Sequence, residues 1–112
     1  MYKRQDILII GVAYKPNVGD VRESPALDII HLLRELGANV SYHDPYVPKI
    51  HYDSIQLGSV DDPYTAVQMA DCIVIVTNHT VYDWNKIQQT PASIIDTRNS
   101  IVSQYHPNII SI

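Results

Sequence analysis

Residues 7–37 read ILIIGVAYKPNVGDVRESPALDIIHLLRELG, a strand–loop–helix pattern around which the rest of the chain is arranged. Ile7, Leu8, Ile9 and Ile10 form a short apolar run, the pattern of a strand buried on both faces. The strand is expected over Ile7–Val12. Gly11 is followed by a polar loop from Lys15 to Glu23. Ser24 is a good N-cap, and Pro25 falls at N1, where a missing N–H costs nothing. Ala26, Ile29, Ile30, Leu33 and Leu36 recur at helical spacing and predict a helix over Pro25–Leu36. Gly37 stands at the expected C′ position. The unit is strand, long loop, helix, and in α/β proteins ligands collect at such loops.

Beyond this unit, strands and helical segments keep alternating. ANVSYH (38–43) predicts a second strand, stopped by Asp44-Pro45. Residues 45–61 hold Pro45, Pro48 and Gly58 and read as an irregular connection, with a short extra strand near Leu57. Pro63–Met69 predicts a short helix capped by Asp61 or Asp62. CIVIV (72–76) is a second strongly apolar strand, followed by the loop Thr77-Asn78-His79-Thr80. A short helix is expected over Val81–Gln89, then strands at Ser93–Asp96 and Ile109–Ser111. The expected fold class is α/β, a Rossmann-like three-layer sandwich with a mostly parallel sheet and helices on both faces.

Bulk properties bound the function. A length of 112 residues is that of one domain, 46% hydrophobic and 18% charged, with mean hydropathy near zero. The net charge of −4 argues against a nucleic-acid or anionic-membrane surface. No apolar run approaches the ~20 residues of a membrane helix. MYKRQD is basic but precedes only four apolar residues, so it is not expected to be a signal peptide. One cysteine excludes an internal disulfide and suits a reducing cytoplasm, the expected location.

In a parallel sheet the loops leaving the strands' C-terminal ends converge on one rim. Here they carry Lys15, Arg22, Asp44, Thr77, Asn78, His79 and Arg98. Lys15, Arg22 and Arg98 are the rim cations of an acidic chain. They suit a phosphorylated ligand, since guanidinium grips phosphate with two bonds and the helix start beside them favours an anion. Each can equally be a loop charge paired to Asp20, Glu23 or Asp96. The dinucleotide fingerprint G-x-G-x-x-G is absent after Gly11, so the sheet is not expected to seat a pyrophosphate in the usual turn. Asp44 lies 33 positions after Gly11, against about 20 for a ribose-binding acid. A turn role competes with that reading. Cys72 reads as a core thiol, and Tyr82 with Trp84 as helix-to-sheet packing or a rim platform for a base. Five histidines lack ligand spacing, though His43 and His79 share the rim; no metal is expected.

The string GVAYKPNVGDVRESPALDII (11–30) closely resembles the start of the C-terminal, UDP-binding domain of the UDP-glucose/GDP-mannose dehydrogenase family. SYHDPYVP (41–48), ADCIVIVTNHTVYDW (70–84) and IIDTRNSI (94–101) match the same domain in order. Within the family, YK (14–15), RESPAL (22–27) and YHDPYVP (42–48) look most like the UDP-N-acetylglucosamine (or N-acetylmannosamine) 6-dehydrogenase branch. The resemblance implies an NAD-dependent oxidoreductase that converts the C6 hydroxyl of a UDP-hexose to the uronate. UDP-N-acetylglucosamine or UDP-glucose is the expected substrate, and polysaccharide biosynthesis the setting. It further implies that NAD is bound mainly by an N-terminal domain, that a central helix forms a homodimer, and that a cysteine outside these 112 residues is the nucleophile. Cys72 does not inherit that role, and the isolated chain should not be catalytic. Tyr14 and Lys15 match a position that contacts the nucleotide sugar, Arg98 an arginine at the substrate end, and Arg22 an arginine that reaches the cofactor. The implied partners are a UDP-sugar, the N-terminal and central domains and a second copy, with no nucleic acid and no membrane. A stand-alone nucleotide-binding regulatory module is the alternative.

Overall fold

In the computed structural model, residues 5–22, 24–52, 55–97 and 109–111 are described, and for Tyr52 and 109–111 the backbone alone. Five strands form one sheet in the order β2-β1-β5-β6-β7, every pairing parallel: β1 Asp6–Ile10, β2 Asn39–His43, β5 Cys72–Ile75, β6 Ser93–Asp96 and β7 Ile109–Ser111. Between them lie α1 Pro25–Glu35, the hairpin β3 Lys49–Tyr52 with β4 Ile55–Gly58, α2 Pro63–Met69 and α3 Trp84–Ile87.

The apolar run of β1 is continuous because both its faces are covered. Alternation along the strand sends Ile7 and Ile9 to one side and Leu8 and Ile10 to the other. Ile7 and Ile9 pack with Ala26, Leu27 and Ile30 of α1. Leu8 and Ile10 pack with Val67 of α2 and Ile87 of α3. β5 obeys the same rule: Val74 faces α1, while Ile73 and Ile75 face α2 and α3. The result is the expected three-layer sandwich around a parallel sheet. No described helix is long and apolar enough to cross a membrane.

The ends of α1 follow from its sequence. Ser24 Oγ accepts from the Ala26 N–H at 3.1 Å, with Pro25 in the first turn. At the other end Ala38 N–H donates to Leu33 O and Gly37 N–H to Arg34 O, with Gly37 at φ 90°. That is a Schellman closure, which needs a left-handed C′ residue. The buried stripe is Ala26, Leu27 and Ile30, with Ile29 and Leu33 half-buried, whereas Leu36 ends the helix exposed.

Two expectations need correction. Residues 45–61 are not irregular throughout; they hold the antiparallel β3–β4 hairpin, with Ile50 opposite Leu57. Period-two alternation brings Ile50, Ile55 and Leu57 to one face, where they join the α1 cluster. The strands are four residues each, too short for that alternation to stand out beside Pro45, Pro48 and Gly58. The helix expected over Val81–Gln89 is also shorter. The Asp83 carboxylate accepts from Asn85 N–H and Lys86 N–H, so Asp83 is the N-cap and the helix starts only at Trp84. Tyr82, just before it, is buried under the sheet with Trp84 edge-on at 5.3 Å.

Tyr42, wholly buried in β2, donates its hydroxyl to Val47 O at 2.8 Å. Burial, with the nearby Asp44 charge, pushes its phenol up to about 12 from 10.0. Burial raises Tyr82 as well. The folded chain therefore holds these protons more tightly than the unfolded one. Their contribution to stability is fully present below pH ~10 and is lost progressively above it, for Tyr42 as the pH approaches about 12. The urea midpoint should fall steadily across that window, and Tyr42→Phe should remove part of the fall. A wild-type midpoint that stays level there would refute the assignment.

Candidate functional site

The C-terminal ends of β1, β2 and β5 open onto one rim, and a buried polar network ties their three loops together. Its hub is Asp44, 1% exposed, directly after β2. Asp44 Oδ2 accepts from the Val12 N–H at 2.8 Å and the Ala13 N–H at 3.1 Å. Asp44 Oδ1 accepts from the Tyr46 N–H at 2.8 Å, and Ser59 Oγ accepts from the Asp44 N–H. His79, fully buried after β5, lies with Nε2 at 2.8 Å from Asp44 Oδ2.

The other side of the imidazole fixes its proton. The Asn17 backbone N–H donates to His79 Nδ1 at 2.7 Å, so Nδ1 carries no hydrogen. Nε2 must then carry it and donate to Asp44. The contact is a hydrogen bond from a neutral imidazole to a carboxylate, not an ion pair. Asn17 itself sits at φ 65°, a left-handed conformation that asparagine tolerates better than most residues. Its Oδ1 accepts from Thr80 N–H at 3.0 Å and Thr80 Oγ1 at 3.2 Å. Thr77 Oγ1 adds a bond to Ala13 O at 2.6 Å. A further tie joins β2 to the segment before α3: Tyr82 OH donates to His43 O at 2.9 Å and lies 2.8 Å from His43 Nδ1. Burial holds His43 below the ordinary histidine range.

What this frame presents to solvent is Tyr14 and Lys15, both exposed on the turn between Ala13 and Asn17. Tyr14 N–H donates to Asp20 O and closes that loop on itself. Tyr46, also exposed, leans over His79 with ring centroids 4.7 Å apart. Arg22 lies on the same loop. Its Nε and Nη2 grip both carboxylate oxygens of Asp20, at 3.1 and 3.0 Å, and this grip holds the Asp20 carboxyl below its usual range.

The rim residues expected from sequence thus divide in two. Lys15 and Arg22 are outward. Asp44, Thr77 and His79 are buried and fully used by the frame, and Asn78 is half-buried. Arg98 lies outside the described residues, as does Glu23. Asp44 takes the turn role, not that of a ribose-binding acid, because both its oxygens already hold protein donors. Asn17 and Tyr46 were missed as site residues. The Pro16-Asn17 pair, a turn dipeptide inside a loop of unusual length, was the available signal for Asn17. Among the described residues no three His, Cys, Asp or Glu groups converge as a metal cluster. Burial raises the half-buried Cys72 thiol, the opposite of what a nucleophile needs.

A dinucleotide does not fit the turn after β1. A Cβ on Gly11 would lie 2.3 Å from Thr77 O, so the glycine serves a close approach of two loops, leaving no cradle for phosphate. The start of α1, closed by Ser24 and Pro25, comes fourteen residues later. An open depression of about 290 Å³ lies at the opposite end of the sheet, lined by Asp6, Asn39, Val40 and Met69 among others. It contains no cation and suits no phosphate.

Comparison with known proteins agrees with this geometry. Residues 8–103 match the description "UDP-glucose/GDP-mannose dehydrogenase family, UDP binding domain". The chain is 35% identical over 100 residues to a UDP-N-acetyl-D-mannosamine dehydrogenase of Methanococcus maripaludis, covering 89% of this chain and 22% of that protein. It is 38% identical over 91 residues to a UDP-glucose 6-dehydrogenase of Bacillus subtilis, covering 78% and 18%. Among solved structures, a UDP-D-ManNAc dehydrogenase from Pyrococcus horikoshii superposes with a TM-score of 0.74 at 31% identity, over 98% of this chain and 25% of that one. The chain therefore spans about a fifth of the length of the curated relatives it matches. With its sheet, its rim and nearly its whole sequence aligned, the chain belongs to the UDP-glucose/GDP-mannose dehydrogenase family, as the UDP binding domain.

Proposed function

We propose that this chain holds the UDP end of a nucleotide sugar for an NAD-dependent 6-dehydrogenase, which oxidises the sugar C6 hydroxyl to a carboxylate. The observation that carries this reading is the exposed Tyr14–Lys15 turn, braced from beneath by the Asp44–His79–Asn17 network. A diphosphate needs a charge-assisted donor on a backbone that does not move away, and Lys15 on this turn supplies it. Tyr14 and Tyr46 offer aromatic surface beside it for the base or sugar. Arg98 is proposed to add a second cation at the substrate end.

Arg22 is proposed to face the cofactor. Its Nε and Nη2 are held by Asp20, so meeting a phosphate there would exchange one anionic partner for another. NAD would be held mainly by parts of the longer relatives that this chain does not match, since the turn after β1 has no place for its pyrophosphate. The reaction removes two hydrides in succession, and the residues here bind and orient the substrate for it. An N-acetylhexosamine or glucose is the proposed sugar, as the dehydrogenases of the relatives act on UDP-N-acetyl-D-mannosamine and UDP-glucose. The 112 residues alone should reduce no NAD.

An amide-resolved titration of the chain with UDP tests the reading. Shifts should cluster at residues 11–24 and near Arg98. Lys15→Ala should weaken binding about tenfold, the scale of one hydrogen bond to a charged group. Absence of shifts at millimolar UDP, or full affinity in Lys15→Ala, would sink it.

A further inference from the structure

We propose that His79 is the positioning residue of the rim. It stands on Asp44 and fixes, through the Asn17 backbone amide, the turn that presents Tyr14 and Lys15. The proposal rests on the UDP-site reading for its ligand, but its mechanics can be tested without one.

Three observations carry it. His79 has no exposed surface, so it touches no ligand. It is held as the Nε2–H tautomer between an acceptor, Asp44 Oδ2, and a donor, the Asn17 N–H. That donor belongs to the single non-glycine residue at positive φ among the described residues, two positions after Lys15. A turn that bends through a left-handed asparagine has to be held by something. Here the ring accepts its N–H while Thr80, next to His79, donates twice to its side chain. The anchor thus couples the β5 loop to the lysine without meeting the ligand. Asp44 supplies a rigid base, because the same carboxylate binds Val12 N–H and Ala13 N–H at the root of that turn.

Two substitutions separate the halves of the imidazole. In His79→Gln the amide reaches the Nε2 position and still donates to Asp44, but nothing accepts at the Nδ1 position. In His79→Asn the amide oxygen falls near Nδ1 and accepts from Asn17, while the Asp44 contact is lost. The uniformly labelled 112-residue chain should show a scalar coupling between the Asn17 amide nitrogen and His79 Nδ1. His79→Gln should keep the sheet amides of β1 and β5 in place and lose the protection of the Asn17 amide. Its UDP dissociation constant should rise about tenfold, as a competent turn falls to roughly a tenth of the population. His79→Asn should recover most of that protection and affinity.

Absence of the coupling in the wild type overturns the proposal, whether or not the variants fold. Wild-type Asn17 protection in His79→Gln overturns it as well. So does an equal loss of UDP affinity in both variants while Asn17 stays protected in His79→Asn. If the wild type does not respond to UDP at all, the reading of the site fails. The coupling and the exchange contrast then decide the anchor by themselves.

Discussion

Asp44→Ala should destabilise the fold by about 3–5 kcal/mol, although it removes a single surface-loop carboxylate by sequence. The carboxylate accepts from the Val12, Ala13 and Tyr46 N–H groups and from His79 Nε2. Val12 and Ala13 are fully buried, so water cannot replace the lost acceptor. Each orphaned buried donor costs roughly 1–3 kcal/mol, and the imidazole N–H adds another. Against a typical domain stability of about 5–15 kcal/mol, the loss should lower the melting temperature on the order of 15 °C or more. Asp44→Asn should lie between, because one amide oxygen can still serve either Tyr46 or the Val12–Ala13 pair, and the NH2 then faces a donor. Urea unfolding of the three proteins checks this. A loss under about 1 kcal/mol in Asp44→Ala would show that the network only decorates a rim held by the apolar layers.

The apolar layers were legible because their signals are local. Ile7–Ile10 declare a doubly buried strand within four residues, and Ser24, Pro25 and Gly37 bracket α1 within fourteen. The rim network is different in kind. Val12 meets Asp44 across 32 positions and Thr77 meets Ala13 across 64. No periodicity records such pairs, since each residue alone reads as ordinary loop chemistry. Asp44-Pro45 gave a turn signal and a ribose-acid spacing that did not fit, and only the convergence of three loops decides between them. His79 looked like a rim group and is instead the part of the rim that no ligand reaches. Lys15 and Arg22 could be picked out because cations are scarce in this chain, a compositional fact that survives folding. The β3–β4 hairpin was lost for the opposite reason: its alternation is real but four residues long.

Gly11→Ala should be as damaging, at about 4 kcal/mol, and here the cause is steric. Gly11 directly follows β1 at φ 80°, where an L-residue pays about 1–2 kcal/mol for the backbone alone. The new Cβ would then stand 2.3 Å from Thr77 O, 2.6 Å from Thr77 Cβ and 2.9 Å from Thr77 C. Two of these three atoms are backbone, so no side-chain rotation relieves the contact. The exit of β5 has to move, and with it the Thr77 Oγ1 bond to Ala13 O. The Gly11 N–H bond to His43 O, which joins β1 to β2 at the rim, is strained by the same shift. Gly37→Ala is the internal comparison: it shares the left-handed backbone, at φ 90°, but at an exposed helix end, and should cost about 1 kcal/mol. The difference between the two isolates the close approach of the β1 and β5 loops. Equal losses in the two variants would mean that this approach is soft, and that the frame beneath Lys15 can yield without unfolding.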